Sequence, residues 1–452
     1  MKMTVKMAWV SFAVCFALGA AADTGVSDVV VRQRWPWSRL VDIDYVLIGE
    51  AGQKMDVTLK AYDGQTALTL PANSLSGDLY GATPGARKIV WDPTKSAYTN
   101  ELITRFKVEL TANEAPLYMI VDLTKTAGVS GQTEYVYETD LTNNLWGSWV
   151  RNPVTNNGTV VESIVWTGVT TNDIYKTDKL VLRRVSAGSF VMGSSGTITV
   201  TLTKDFYAGV FEITQRQWEF VTGARPSYFS NAVCYATRPV EQVSYEAIRG
   251  GTNAAPDINV NWPSTGYKVA SGSFLGLLRN KTGLDLLDLP TLAQWEYLCR
   301  AGTTTLFNDG DPTASASGDY AYTNQWLNVL SRYAYNGGLV NGTGTPSQTC
   351  SLDSGSAAVG AYRPNAWGLY DTLGNVFEAS LDWGWSGPSS NAVDPVGPAD
   401  ASEQSADYLG KRANQGGGAA SAPSYLRVYN RNKVSPTTVT RNLGLRIVLV
   451  LQ

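Results

Sequence analysis

The 452-residue sequence predicts an α+β protein in which an all-β antiparallel sandwich precedes a larger, loop-rich unit of short strands and few helices. Three observations predict it. Between Asp28 and Leu123 apolar and polar residues alternate with period two, broken by turn signals. From Lys179 onward, short strand patterns surround only two strongly capped helical stretches. The chain also carries 14 Trp, 23 Tyr and 43 Gly, a mixture that suits short strands and loops.

The N-terminus comes first and reads as a processing segment. Lys2 and Lys6 give a positive start, "MAWVSFAVCFALG" a short apolar core, and the small residues before Asp23 a cleavage site after Ala22. Residues 1–22 are therefore expected to leave as a signal peptide, and the product to be secreted, periplasmic or held at the cell surface. The apolar run is too short to cross a bilayer comfortably, and no later stretch is long enough. In residues 23–124 the strands "VDIDYVLIG", "MDVTLKAYD", "ARKIVWD", "RFKVELTA" and "LYMIVDLT" follow, separated by turns such as "EAGQ" and "TPGAR". Their number and spacing predict an immunoglobulin-like sandwich that serves as a spacer or adhesive module. Residues 125–178 read as a connector, whose Trp-rich "NNLWGSWV" and "SIVWTGV" should pack on a neighbour, since exposed Trp is costly.

Residues 179–452 form the larger unit. "KLVLRRVSAGSFVMGS" opens it with strands, and "TVTLTKDFYAGVFEIT" alternates over a long span. "TQRQWEFVTG" starts at a Thr cap and closes on Gly223. "LPTLAQWEYLCRAG" has Thr291 as its cap and Gln294 in the capping-box position, with Leu292, Trp295, Leu298 and Cys299 on one apolar face.

Composition excludes several functions. A net charge of −3 without a sustained basic run offers nothing to nucleic acid. The sequence has no histidine, which removes His-dependent nucleophile activation and His-ligated iron, zinc or copper. After loss of Cys15, three cysteines remain (Cys234, Cys299 and Cys350), enough for one disulfide and one free thiol in any of three pairings.

Seven motifs in order then carry a family resemblance: "GSFVMGS", "DFYAGVFEITQRQWEFV", "RPVEQVSYEAIRG", "LPTLAQWEYLCRAG", "VGAYRPNAWGLYDTLGNVFEA", "GGGAASAPSYLRVYNR" and "NLGLRIVL". Together they resemble the formylglycine-generating enzyme family, also called sulfatase-modifying factors, which implies a C-type-lectin-like fold for residues 179–452. The preceding module looks like the immunoglobulin-like domains of some secreted bacterial members. The family's oxidases use a cysteine pair after the "GGS" motif to bind copper(I) and activate oxygen. Here Ser421 and Leu426 fall at those positions, and neither a hydroxyl nor an isobutyl group replaces a thiolate. Copper and oxidase chemistry are thus not expected, no catalytic residue is assigned, and the chain reads as a non-catalytic binding member. The alternative is an oxidase acting on a sulfatase cysteine with unconventional ligands.

In the family, the segment matching Asp371–Glu378 binds a structural calcium ion. The resemblance implies carboxylate ligands from Asp371 and Glu378 and carbonyl ligands from Gly374 and Val376. Oxygen-rich turns of this kind suit calcium. Turn capping with a salt bridge to Arg, and a catalytic carboxylate pair, are the competing readings of the same two acids. A second family site implies Asn336 and Asp353. Arg300, Arg363, Arg431, Arg441 and Arg446 read as partners of loop carbonyls and of buried acids such as Glu296. The Tyr-, Ser-, Asn- and Arg-rich stretch after Gly418 has the composition of a binding surface. In the same fold, target proteins of diversity-generating retroelements carry variable ligand contacts in this region. Ser421, Tyr425, Arg427, Tyr429 and Arg431 are therefore candidate contacts to a protein or glycan.

Overall fold

The computed structural model describes residues 24–71, 74–156, 159–230, 234–250, 269–316, 324–337, 355–398 and 404–451. The expected signal peptide, Cys350 and Asp353 lie outside the described residues. The chain divides into two compact units, one up to residue 115 and one spanning Pro116–Val450.

In the first unit, strands Gly25–Gln33, Val41–Ile48, Gly85–Trp91 and Leu75–Gly77 form one antiparallel sheet in that spatial order. Strands Thr66–Leu68, Met55–Asp63 and Phe106–Glu114 form a second. The period-two pattern does what it predicts, because alternate residues of Val41–Ile48 are buried. Val41, Ile43, Tyr45 and Leu47 meet Met55, Val57, Ile89 and Trp91 in one apolar cluster. Trp91 stacks on Phe106, with ring centroids 5.1 Å apart.

The strand Tyr118–Asp122, read from sequence as part of the sandwich, belongs instead to the second unit. It pairs with Lys179–Val185 in a six-stranded antiparallel sheet, ordered Leu287–Asp288, Val448–Val450, Phe206–Gly209, Lys179–Val185, Tyr118–Asp122, Thr133–Val136. Residues 125–178 are likewise built into this unit, with Trp149–Asn156 and Thr159–Trp166 forming a hairpin. Trp166 is buried against Tyr118, Trp146 and Tyr175, all edge-on at centroid distances of 5.0–5.7 Å. Packing of these four large rings, two of them fully buried, explains why this sequence does not behave as a loose linker.

The long alternating stretch after Gly196 is two strands, Ile198–Leu202 and Phe206–Gly209. Asp205 interrupts it: its buried carboxylate accepts from Arg184 Nε at 2.9 Å and from the Ala187 N–H at 2.8 Å. Both expected helices form. Gln215–Thr222 has the Thr214 cap and ends at Gly223 with φ 72°. Leu292–Arg300 has the Thr291–Gln294 capping box, but all nine residues are buried, so it is a core helix and not an amphipathic one. A third helix of similar length, Phe274–Thr282, is capped by Ser273 and Gly283. A four-stranded sheet, ordered Arg431–Val434, Arg412–Gln415, Phe377–Trp383, Leu443–Gly444, carries the segment of interest.

Candidate functional site: a buried carboxylate cluster and the loops around it

The segment Gly368–Ser380 is fixed before it reaches its strand. Asn365 accepts from the N–H groups of Trp367 and Leu369 and donates to the Leu298 carbonyl, so one amide ties the turn to the core helix. Asp371 and Asn375 adopt left-handed backbone angles, φ 55° and 58°, which short polar side chains tolerate better than most. Gly374, at φ 80°, admits no other residue: a Cβ there would sit 2.2 Å from the Arg332 carbonyl oxygen.

This path brings three carboxylates into the interior. Glu378 is fully buried in a salt bridge with Arg446, Nη2 to Oε1 at 2.8 Å, and Trp295 Nε1 donates to its Oε2 at 2.6 Å. The remaining Arg446 donors reach the carbonyls of Gly209, Val210 and Tyr370. Glu212, also fully buried, accepts from Asn375 Nδ2 at 2.7 Å and from the Val376 N–H at 3.1 Å. Asp371 accepts from the Gly360 N–H through Oδ2, while its buried Oδ1 has no hydrogen-bond partner. Burial pushes the Asp371 carboxyl up to about 6, against the pull of the Gly360 N–H and Arg446, and the Glu378 charge pushes it further. Glu212 is raised well above the carboxylate range, first by burial and then by Asp371 and Glu378.

Of the three sequence readings of Asp371 and Glu378, the salt bridge to an arginine is the contact Glu378 makes, and turn bonding is what Asp371 Oδ2 makes. The two acids share one buried cluster. Fit to a cation is uneven across the expected ligands. Among the described residues no three acid or cysteine side chains converge as a metal-binding group, but the orphaned Asp371 Oδ1 suits a cation. Glu378 does not, since its oxygens are taken by Arg446 and Trp295. Asn336 is tied into its own turn, its Oδ1 accepting from the Tyr333 N–H and its Nδ2 donating to the Ser331 carbonyl.

Ser421 and Leu426 both face inward. The Ser421 hydroxyl accepts from the Gly418 N–H at 3.0 Å, and Leu426 is fully buried beside Gly417. As surface contacts, then, the predicted residues divide: Ser421 is buried, Tyr425 is exposed, and Arg427, Tyr429 and Arg431 are half-buried. Cys299 is a free, buried thiol whose Sγ faces the Thr372 carbonyl, and burial pushes its pKa far up; Cys234 is disulfide-bonded. It is therefore a packing residue, not a reactive one.

Arg300, Arg431 and Arg446 act as expected, whereas Arg363 is exposed and the Arg441 guanidinium lies over the Tyr228 ring, 5.5 Å from its centroid. Arg300 Nε and Nη2 and Arg431 Nη2 converge on the buried Glu296, whose Oε1 also accepts from the Gly193 N–H at 2.7 Å. Glu212 is the residue that sequence reasoning passes over. The signal was available: a lone acid in the apolar run "AGVFEIT" needs a partner if buried.

Among the described residues, no helix is long and apolar enough to cross a membrane. The sulfatase-modifying factor enzyme 1-like domain family matches residues 170–451. The chain is similar to the formylglycine-generating enzyme of Mus musculus, 32% identical over 164 residues, which are 35% of this chain and 38% of that protein. It thus spans well under half the length of that relative. It is also similar to the chaperone protein LppX of Paenibacillus barcinonensis, 29% identical over 46% of this chain and 72% of that one. Among solved structures, Treponema denticola variable protein 1 is 24% identical, covering 60% of this chain and 95% of its own, with a TM-score of 0.43. With the match covering most of its length, the chain belongs to the sulfatase-modifying factor enzyme 1-like domain family.

Proposed function

We propose that this protein is a non-catalytic member of its family, exported from the cell, that binds a protein or glycan through its C-terminal loops. The observation that carries the reading is the environment of Ser421 and Leu426. At the positions matching the family's copper ligands stand a hydroxyl spent on the Gly418 N–H and a fully buried isobutyl group. Neither can hold a soft metal. The test is titration with copper(I) and measurement of oxygen consumption with a cysteine-containing sulfatase peptide. No uptake and no consumption are expected. Stoichiometric copper(I) binding, lost on replacing Cys234 or Cys350, would instead favour the oxidase reading.

The first unit is proposed to be an immunoglobulin-like spacer. Its two sheets, in chain order 1-2-6-5 and 4-3-7, follow an ABED and C′CF arrangement, which supports the reading. Export is proposed on the N-terminal pattern, and sequencing of the mature protein should begin at Asp23.

Calcium is proposed at the Asp371 segment, with the Asp371 Oδ1 and the Gly374 and Val376 carbonyls as ligands. Glu378 would join only by releasing Trp295 or Arg446. The orphaned oxygen supports this. A second site is not carried forward, because Asn336 already uses its side-chain oxygen and Asp353 lies outside the described residues.

A further inference from the structure

A cleft of about 250 Å³ lies beside the Glu296 junction, bordered by Gly193, Ser194, Arg300, Thr304, Thr305 and Tyr429. Arg300 lines the cleft, and behind it the charges are unequal. Glu296 is fully buried, and two guanidinium groups share its single carboxylate: Arg300 at 2.8 Å and Arg431 at 3.1 Å. One positive charge is therefore left over at this junction, and among the described residues no acid lines the cleft. Arg431 also has a buried Nε without a hydrogen-bond partner, and its Nη2 lies 3.7 Å from where a Cβ on Gly193 would stand. The walls add the hydroxyls of Ser194 and Thr304 and the ring of Tyr429. Gly193 and Gly196, at φ 82° and 71°, turn the chain tightly at the cleft's edge.

An uncompensated guanidinium charge, several hydroxyls and one aromatic face describe a small, hydroxylated anion. The volume falls below the roughly 300–1,000 Å³ of sites for drug-sized ligands, so a single ring fits better than an extended molecule. We propose that this cleft binds an acidic sugar residue, its carboxylate directed to Arg300 and its ring against Tyr429. The inference rests on the binding-module reading and deepens it, naming the ligand as a uronic acid or a glycan that displays one.

The experiment titrates the full chain with glucuronate at low salt, followed by saturation-transfer NMR and calorimetry, with methyl glucoside and acetate as controls. Glucuronate should bind at least about tenfold tighter than either control, since one well-placed ionic contact is worth about that factor. Thr304 is exposed at the rim, so Thr304→Glu should weaken glucuronate at least about tenfold without unfolding the protein, and Thr304→Lys should not weaken it. Tyr429→Ala should weaken glucuronate and methyl glucoside together. Equal binding of glucuronate and methyl glucoside would overturn the proposal. So would indifference to Thr304→Glu, or no glucuronate signal at tens of millimolar. If glucuronate fails while copper(I) uptake is also absent, the cleft assignment falls and the non-catalytic reading stands. Copper(I) uptake would remove that reading whatever the sugar result.

Discussion

In the first unit Arg32 pairs with Asp44 and Arg34 with Asp42 on an exposed sheet face, with Lys88 alongside. In the second, Arg184–Asp205, Arg249–Asp288–Arg279, Arg300–Glu296–Arg431 and Arg446–Glu378 are almost wholly buried. The sandwich satisfies its backbone by strand ladders and keeps an apolar interior, so its charges stay in water. The second unit is mostly loop, and its carbonyls need donors that no ladder supplies. Guanidinium groups provide them: Arg446 alone reaches three carbonyls, the adjacent Gly209 and Val210 and the distant Tyr370. Buried charge here is a means of ordering loops, and each of the guanidinium groups just named sits beside an acid.

The contrast predicts unequal responses to mutation. Arg446→Leu should have the largest effect, about 3–5 kcal/mol, because it strands Glu378 and three carbonyls in the interior. Hydrogen exchange should locate the loss within residues 116–450; a loss below about 1 kcal/mol would break the comparison. Gly374→Ala should cost about 3 kcal/mol or more, from left-handed strain plus collision with the Arg332 carbonyl, read by denaturant unfolding.

Asp371→Asn sharpens the comparison through pH. A carboxyl raised to about 6 in the fold favours the native state when protonated. That contribution is complete below about pH 4 and is lost as pH rises through 6. The asparagine variant should therefore match wild type at pH 4 and exceed it at pH 8 in chelator, by up to about 2–3 kcal/mol. Added calcium should raise the wild-type melting temperature and leave the variant unmoved. A variant less stable than wild type at pH 8 in chelator would mean that Asp371 is held charged by its protein neighbours. The smallest effect belongs to the surface: Arg32→Gln should change stability by less than about 1 kcal/mol.

What the sequence discloses follows the same division. The strands of the sandwich are legible because one face of each is buried and the period is two. The helices Gln215–Thr222 and Leu292–Arg300 are legible because caps mark their ends. The helix Phe274–Thr282 hides behind Gly276, which is there because a Cβ would lie 2.2 Å from the Ala270 carbonyl oxygen. Its caps, Ser273 and Gly283, were the readable signal. Tyr118–Asp122 follows the sandwich in sequence, but it is a continuous apolar run buried at four successive residues, and its pairing with Lys179–Val185 shows where it belongs. Asp371 and Glu378 could be singled out from local pattern. Their neighbour Glu212 shows in the sequence only as an acid in need of a partner, because the Asn375 it meets lies 163 residues away in the chain. Local chemistry is written in the sequence; the meeting of distant acids is written in the topology.

The segment Ser421–Arg431 is pinned along its length. The Ser421 carbonyl accepts from the Ala334 N–H, Leu426 and Val428 are fully buried, and Arg431 is held by Glu296. Between these anchors Ser424 and Tyr425 stand exposed. The path of the loop thus does not depend on what those positions display. Such a loop can change its surface vocabulary without changing its grammar, which makes positions 424 and 425 the places to install new recognition on this fold.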